Sequence, residues 1–355
     1  MMDLIKEVGR GRKGARDLTP EEARRAAELI LSREASAVQI GAFLMAERIK
    51  TESAEELTAF VEACRARSRR WPMAGGIDCA GPYDGRRTSF AATVPAAFVL
   101  ASCGLPVTLH GSAALPPKWG ITLPDNFAAL GADLTGAAGD RLAMAAESTG
   151  FLFAPTEKWC PALAGLRRMR EDIGVRTIFN TAEKLLRFSD APYMAMGVFH
   201  GTMFEKMAGI LLGLGVRNAI IVQGVEGSED LSVEKRTRTV MVRGGQHHEM
   251  LILDPAVFGL EAAAPEWEWT AERQADTARR VLEGGGEPAF RNMVILNSAV
   301  RLWVAERVPS IEEGVALARR TLDGGAALRR FQDWLSSVKP ETGSFFKEGI
   351  ERKRA

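Results

Sequence analysis

The apolar positions follow a helical period over roughly the first seventy residues, and fall into short unbroken runs after that. Thr19-Pro20-Glu21-Glu22 is a capping box with proline at the first helical position, and Ala26, Leu29 and Ile30 give the helix it opens an apolar side. Ser36 opens a second helix through Val38, Ile40, Phe43, Leu44 and Met45, apolar nearly all round and so expected to be buried. Ser53-Ala54-Glu55-Glu56 is another capping box, and Leu57, Phe60, Val61 and Cys64 then recur at i, i+3, i+4 and i+7. Three short helices with apolar faces need either the rest of the chain or a second subunit to cover them.

From Gly75 the pattern changes. Ile77 to Ala80 reads as a strand, Gly81-Pro82-Tyr83-Asp84-Gly85-Arg86 as a turn, and Thr93 to Cys103 as a buried helix closed by Gly104. Leu105 to His110 is a second strand, which makes a βαβ unit of a parallel sheet. Phe151 to Pro155 and Asn218 to Val222 read as further strands, and Arg238 to Arg243 with His247 to Leu253 as a hairpin across Gly244-Gly245. Cys160 to Asn180 and Met203 to Leu214 read as helical, as does Thr270 to Val338 between its glycine stretches. The fold class is therefore α/β, with a helical module at the front.

Composition excludes more than it names. The 355 residues carry 46 basic and 45 acidic side chains, so bulk charge selects no partner. Cys64, Cys79, Cys103 and Cys160 have no CxxC spacing, which suggests reduced thiols in a cytoplasmic protein rather than disulfides or zinc. No apolar run approaches the roughly 18 residues of a membrane span.

In such a sheet a ligand sits outside the carboxyl ends of the strands. Three loops converge there: Gly81 to Arg87, Gly111 to Gly120, and Gly224 to Asp230. They bring Asp84, His110, Lys118, Glu226, Glu229 and Asp230 to one cleft. A glycine-bearing loop for phosphate facing an acidic loop for Mg²⁺ is chemically coherent; a solvated acidic turn has the same composition.

Arg48-Ile49-Lys50-Thr51-Glu52-Ser53, and Arg170-Glu171-Asp172-Ile173-Gly174-Val175-Arg176-Thr177-Ile178-Phe179-Asn180 after Phe151 to Pro155, resemble segments of anthranilate phosphoribosyltransferases in the same order. The resemblance covers nearly the whole chain. It implies a helical domain over residues 1–72, joined by helices from about 160–188, and a larger α/β domain over 75–355 with a mostly parallel central sheet. It also implies a homodimer through the helical domains, and phosphoribosyl transfer from phosphoribosyl pyrophosphate to an aromatic or carboxylate-bearing amine with Mg²⁺. Carried over by position, Gly81, Asp84, Gly85, Thr93, His110, Gly111 and Lys118 would meet the phosphorylated substrate, Arg170 the acceptor carboxylate, and Glu229 and Asp230 the metal.

The chain departs from the family pattern at defined places. Pro82-Tyr83 stand where two glycines belong, Phe90-Ala91-Ala92 replace polar residues, and Leu109 replaces a lysine that Lys118 is positioned to substitute. Cys160 stands for a pocket histidine, and Glu183-Lys184-Leu185 for Gly-Pro-Leu. The opening Ile5 to Arg12 with Ala15 to Leu18 resembles a sister group that lacks the glycine loop and includes DNA-binding members. That resemblance implies the alternative of a non-catalytic nucleic-acid binder using Arg10, Arg12, Lys13, Arg16, Arg65, Arg67, Arg69 and Arg70. Read from the residues alone, these clusters are first a solvated face, with favourable charge at a helix C-terminus, and second a phosphate-contacting surface.

Overall fold

A computed structural model describes residues 1–339 apart from residues 12, 133, 135–138, 245 and 246. Arg12 and part of the turn after Gly244 therefore lie outside the described residues. Seven strands form one sheet in the order β3-β2-β1-β4-β5-β6-β7. They are β1 (Ile77–Ala80), β2 (Val107–Gly111), β3 (Phe151–Pro155), β4 (Tyr193–Gly197), β5 (Asn218–Val222), β6 (Thr237–Arg243) and β7 (His247–Leu253). The first five are parallel, and β6 and β7 add an antiparallel edge. Ile77 pairs with Val107 on one side and Tyr193 on the other, so β1 lies at the centre, where the strand order reverses.

β4 is the one strand the apolar pattern does not reveal. Tyr193-Met194-Ala195-Met196-Gly197 is rich in residues of low β-propensity. It becomes a strand because it is buried along its whole length between β1 and β5, and tertiary context outweighs local preference.

The two faces of the sheet build two cores. Helices Thr93–Ser102, Pro288–Val304, Ile311–Asp323 and Ala326–Val338 cover one face, where Trp334 packs on Phe98, Phe127 and Phe151 at ring distances of 5.6, 5.2 and 5.1 Å. The other face continues into the helical module. Helices Pro20–Leu31, Ala37–Lys50 and Ala54–Ala66 start at Thr19, Ser36 and Ser53, each with a reciprocal capping box. The segment 161–182 forms three short helices and docks on them, with Phe179 edge-on to Phe60 at 5.4 Å. The second of the N-terminal helices is not buried all round: Val38 is 81% and Ile49 73% exposed, beside Met2 at 67%.

Candidate active site at the carboxyl ends of the sheet

The loops after β1, β2 and β5 meet as expected, and glycine makes the meeting possible. Gly85 has φ +79°, and a Cβ there would fall 2.3 Å from the backbone of Gly120. The close approach lets Arg86 and Ile121 pair across the two loops. Glu226 staples the third loop to the first, accepting from the Arg87 and Thr88 amides at 2.9 and 3.0 Å and from Ser89 Oγ at 2.7 Å. Burial opposes its charge, but these hydrogen bonds hold its carboxyl below the ordinary range.

Beneath the loops the acidic pair is buried and largely matched. Arg86 Nη2 lies 2.8 Å from Asp230 Oδ2 and 3.4 Å from Glu229 Oε2, and Arg301, from helix Pro288–Val304, lies 2.8 Å from Asp230 Oδ1. The Thr93 amide donates to Asp230 Oδ2 at 3.2 Å, and Thr93 Oγ1 accepts from Arg301 at 3.1 Å. Charges this deep persist only when paired. Asp230, expected as a metal ligand, therefore has both oxygens taken, and Thr93, expected at a phosphate, serves the same network. Glu229 differs: its Oε1 is buried with no hydrogen-bond partner. It faces a cavity of about 10 Å³ lined by Gly81, His110, Gly111 and Ser112, room for one water or an ion and not for a phosphate. A Cβ on Gly81 would lie 2.6 Å from Glu229 Oε2, so the chain passes this carboxylate only as glycine.

Pro82 and Tyr83 explain why the corner is closed. Tyr83 is not forced to positive φ; its ring turns inward instead, and the buried hydroxyl bonds to Thr156 Oγ1 at 2.6 Å and to His110 Nδ1. His110 Nε2 bonds Asp78 Oδ1 at 2.8 Å. His110, expected in a phosphate loop, is thereby locked into a buried polar chain.

The open space lies next door, between the sheet and the helical module. A cleft of about 230 Å³ is lined by Arg48, Asp84, Arg176, Asn180, Lys184 and His200, with an apolar wall of Met196, Val198, Phe199, Met203 and Met207. Asp84 is shared by Arg176 Nη2 at 2.5 Å and Lys118 Nζ at 3.3 Å. The Arg176 guanidinium stacks over Phe199 at 4.4 Å, and the Lys118 ammonium sits 5.3 Å from the same ring. Burial pulls the Lys118 pKa down against the pull of Asp84 and Glu226. Burial also brings the Lys184 ammonium down to about 8, with Asp84 and Glu229 countering and Lys118 and Arg176 adding to it.

Arg170, expected at the acceptor carboxylate, does not reach the cleft. It is 4% exposed and forms a two-pronged pair with Glu183 at 2.7 and 2.8 Å. Cys160 does not line the cleft either; it is buried with its thiol 3.6 Å from the carbonyl of Cys64. The N-terminal basic clusters are matched by carboxylates. Arg10 pairs with Glu7, Arg16 with Glu7 and Glu22, Arg65 and Arg70 with Asp190, Arg67 with Glu28, and Arg69 with Asp140. Lys13 is exposed. Among the described residues the clusters are an ion-paired surface.

Sequence reasoning missed Arg86, Arg301, Arg176 and Lys184 as site residues. Arg301 carried a signal, since an arginine inside the apolar run Asn297-Ser298-Ala299-Val300-Arg301-Leu302 requires a buried acid. Glu183 and Lys184 carried one too, as two charges in place of glycine and proline.

A switch-point cleft on a mostly parallel sheet, beside a helical bundle, marks the class as an α/β protein with a helical module. Residues 80–328 match the glycosyl transferase family a/b domain, and residues 2–68 that family's helical bundle domain. The anthranilate phosphoribosyltransferase of Herpetosiphon aurantiacus is 32% identical over 320 residues, 89% of this chain and 94% of the relative. That of Methylobacterium nodulans is 34% identical over 313 residues, 87% and 91% of the two chains. The crystal structure of the enzyme from Thermus thermophilus superposes with a TM-score of 0.82 at 29% identity, over 95% of this chain and 99% of that one. The Saccharomyces cerevisiae enzyme in complex with phosphoribosyl pyrophosphate and Mg shares the fold, with a TM-score of 0.81 at 21% identity over 95% and 97%. The chain belongs to this glycosyl transferase family.

Proposed function

We propose that the chain is a phosphoribosyltransferase, which moves the phosphoribosyl group of phosphoribosyl pyrophosphate to a carboxylate-bearing, single-ring amine with Mg²⁺. The observation that carries this reading is the cleft at the strand ends. Cations converge there on one side and an apolar wall faces them, in a chain about one-third identical to anthranilate phosphoribosyltransferases. Glu229 fits a cation through its unpartnered Oε1, while Asp230 contributes only field strength from behind. When bound, magnesium supplies neutralising charge to the departing pyrophosphate.

The chain's own residues do the positioning. Because the glycine corner admits no phosphate, the phosphorylated end enters along the open cleft. There Lys118 and Arg176 are placed to exchange part of their hold on Asp84 for phosphate oxygens. Asp84 then faces the ribosyl carbon, which gains positive charge as pyrophosphate leaves. Met196, Val198, Phe199, Met203 and Met207 keep water from the acceptor side. The exposed Met2, Val38 and Ile49 fit a homodimer through the helical module, and light scattering at micromolar concentration tests it, a monomer counting against it.

The functional test is pyrophosphate release from phosphoribosyl pyrophosphate and Mg²⁺ with a panel of aromatic and aliphatic amino acids as acceptors. Release that depends on a ring-bearing acceptor and falls at least about tenfold in Asp84→Asn supports the reading. No release with any acceptor rejects it.

A further inference from the structure

The geometry points to Lys184 as the residue that grips the anionic group of the acceptor, a carboxylate on a flat ring, in the role that Glu183 denies to Arg170. The inference deepens the transferase reading and rests on it for the word acceptor, but the carboxylate site is testable by itself.

Glu183 and Lys184 lie on one short 3-10 turn, Glu183–Leu185, and reach different partners. Glu183 turns inward and uses both its oxygens on Arg170. No donor of that guanidinium's paired edge is left for a ligand, and its 4% exposure keeps ligands away. Lys184 turns into the cleft, where Nζ donates to the Gly197 carbonyl at 3.1 Å. No carboxylate of the described residues forms an ion pair with it within 4.0 Å. An ammonium has three donors and an unmatched charge here, and desolvated charge of this kind is costly unless something of opposite sign completes it.

The groups facing it are Asp84, Glu229, Lys118 and Arg176 by charge, with Arg48, Glu52 and His200 further along the walls. The acids among them already have other work: Asp84 holds Arg176 and Lys118, Glu229 meets Arg86, and Glu52 meets Lys206. The cleft therefore carries surplus positive charge at the Lys184 end. The same cleft is lined by Met196, Phe199, Met203 and Met207, a surface for a ring rather than for a second charged group. A small aromatic carboxylate satisfies both ends at once.

The test uses the full chain, calorimetry, and the probe pair benzoate and benzamide, equal in shape and different in charge. Wild type prefers benzoate by about tenfold, the worth of a charge-assisted hydrogen bond. Lys184→Met erases the preference, and Lys184→Arg retains it. The double variant Arg170→Met with Glu183→Leu, which removes the buried pair together, leaves it unchanged. Because the ammonium loses its proton near pH 8, wild-type affinity for benzoate falls above that pH, and Lys184→Arg stays level. The inference is overturned if wild type shows no preference, if Lys184→Met keeps it, or if inorganic phosphate occupies the site as tightly as benzoate. Benzoate binding without pyrophosphate release rejects the transferase reading alone. Release whose acceptor KM is the same in Lys184→Met rejects the lysine assignment alone.

Discussion

The acidic corner under the loops and the cleft beside it share the loop that carries Pro82 and Tyr83, yet they treat charge in opposite ways. In the corner, Glu229 and Asp230 face Arg86 and Arg301 and leave about 10 Å³. In the cleft, Lys184 has no carboxylate partner among the described residues and about 230 Å³ stands open. A largely matched corner serves stability and leaves only Glu229 Oε1 for a cation, whereas an unmatched site is poised for a larger ligand. Ligand binding is therefore expected where the protein has left charge uncompensated, not where charge is most concentrated.

Removing one member from each region is the strongest way to break this contrast. Arg301→Met takes away one of the two guanidiniums that hold Asp230 and leaves its Oδ1 without a partner in the core, and is expected to cost about 3 kcal/mol in urea unfolding. Lys184→Met removes a desolvated cation that has no acid partner among the described residues, and is expected to leave stability unchanged or raise it. Equal losses from the two substitutions would contradict the contrast. Between these lies Tyr83→Phe, which takes a buried hydroxyl from His110 and Thr156 and should cost about 1–2 kcal/mol. A loss near zero would mean that Tyr83 merely fills space at the closed corner.

Two smaller effects sharpen the picture. Thr51 has φ +74° at the end of helix Ala37–Lys50, beside the cleft residue Glu52, where a side chain is strained. Thr51→Gly should gain up to about 1 kcal/mol, seen as a higher Tm; a lower Tm would show that the threonine side chain is held by contacts worth more than the strain. The pH dependence of stability reads Lys184 directly. Its folded pKa of about 8 lies below the ordinary 10.5, so between those values the unfolded chain binds the proton more tightly. Stability then rises with pH from about 8 to about 10.5, and this rise is missing in Lys184→Met. The same slope in both proteins would place the titration elsewhere.

Much of the fold was legible because capping and periodicity are local. Thr19, Ser36 and Ser53 announce their helices, and the run around Phe151 announces its strand. β4 was not legible, because methionine, alanine and glycine become a strand only between two neighbours already in place. The converging loops followed from the strand ends, but the partners within them did not. Arg301 reaches Asp230 from 71 residues away, and Glu183 takes Arg170 from 13 residues away. Pairing of buried charges is a tertiary event. Sequence can mark an arginine in an apolar run as needing an acid, and cannot say which acid answers.

The most direct test of the central claim is calorimetric titration of the wild-type protein with phosphoribosyl pyrophosphate, with and without Mg²⁺, alongside Lys118→Met and Arg86→Met. Binding that needs Mg²⁺, is lost in Lys118→Met and survives in Arg86→Met is the predicted result, with the ligand in the open cleft. No Mg²⁺-dependent binding at millimolar ligand, or loss in Arg86→Met with Lys118→Met intact, would contradict it. The second outcome would show that the acidic corner opens to take the phosphates after all.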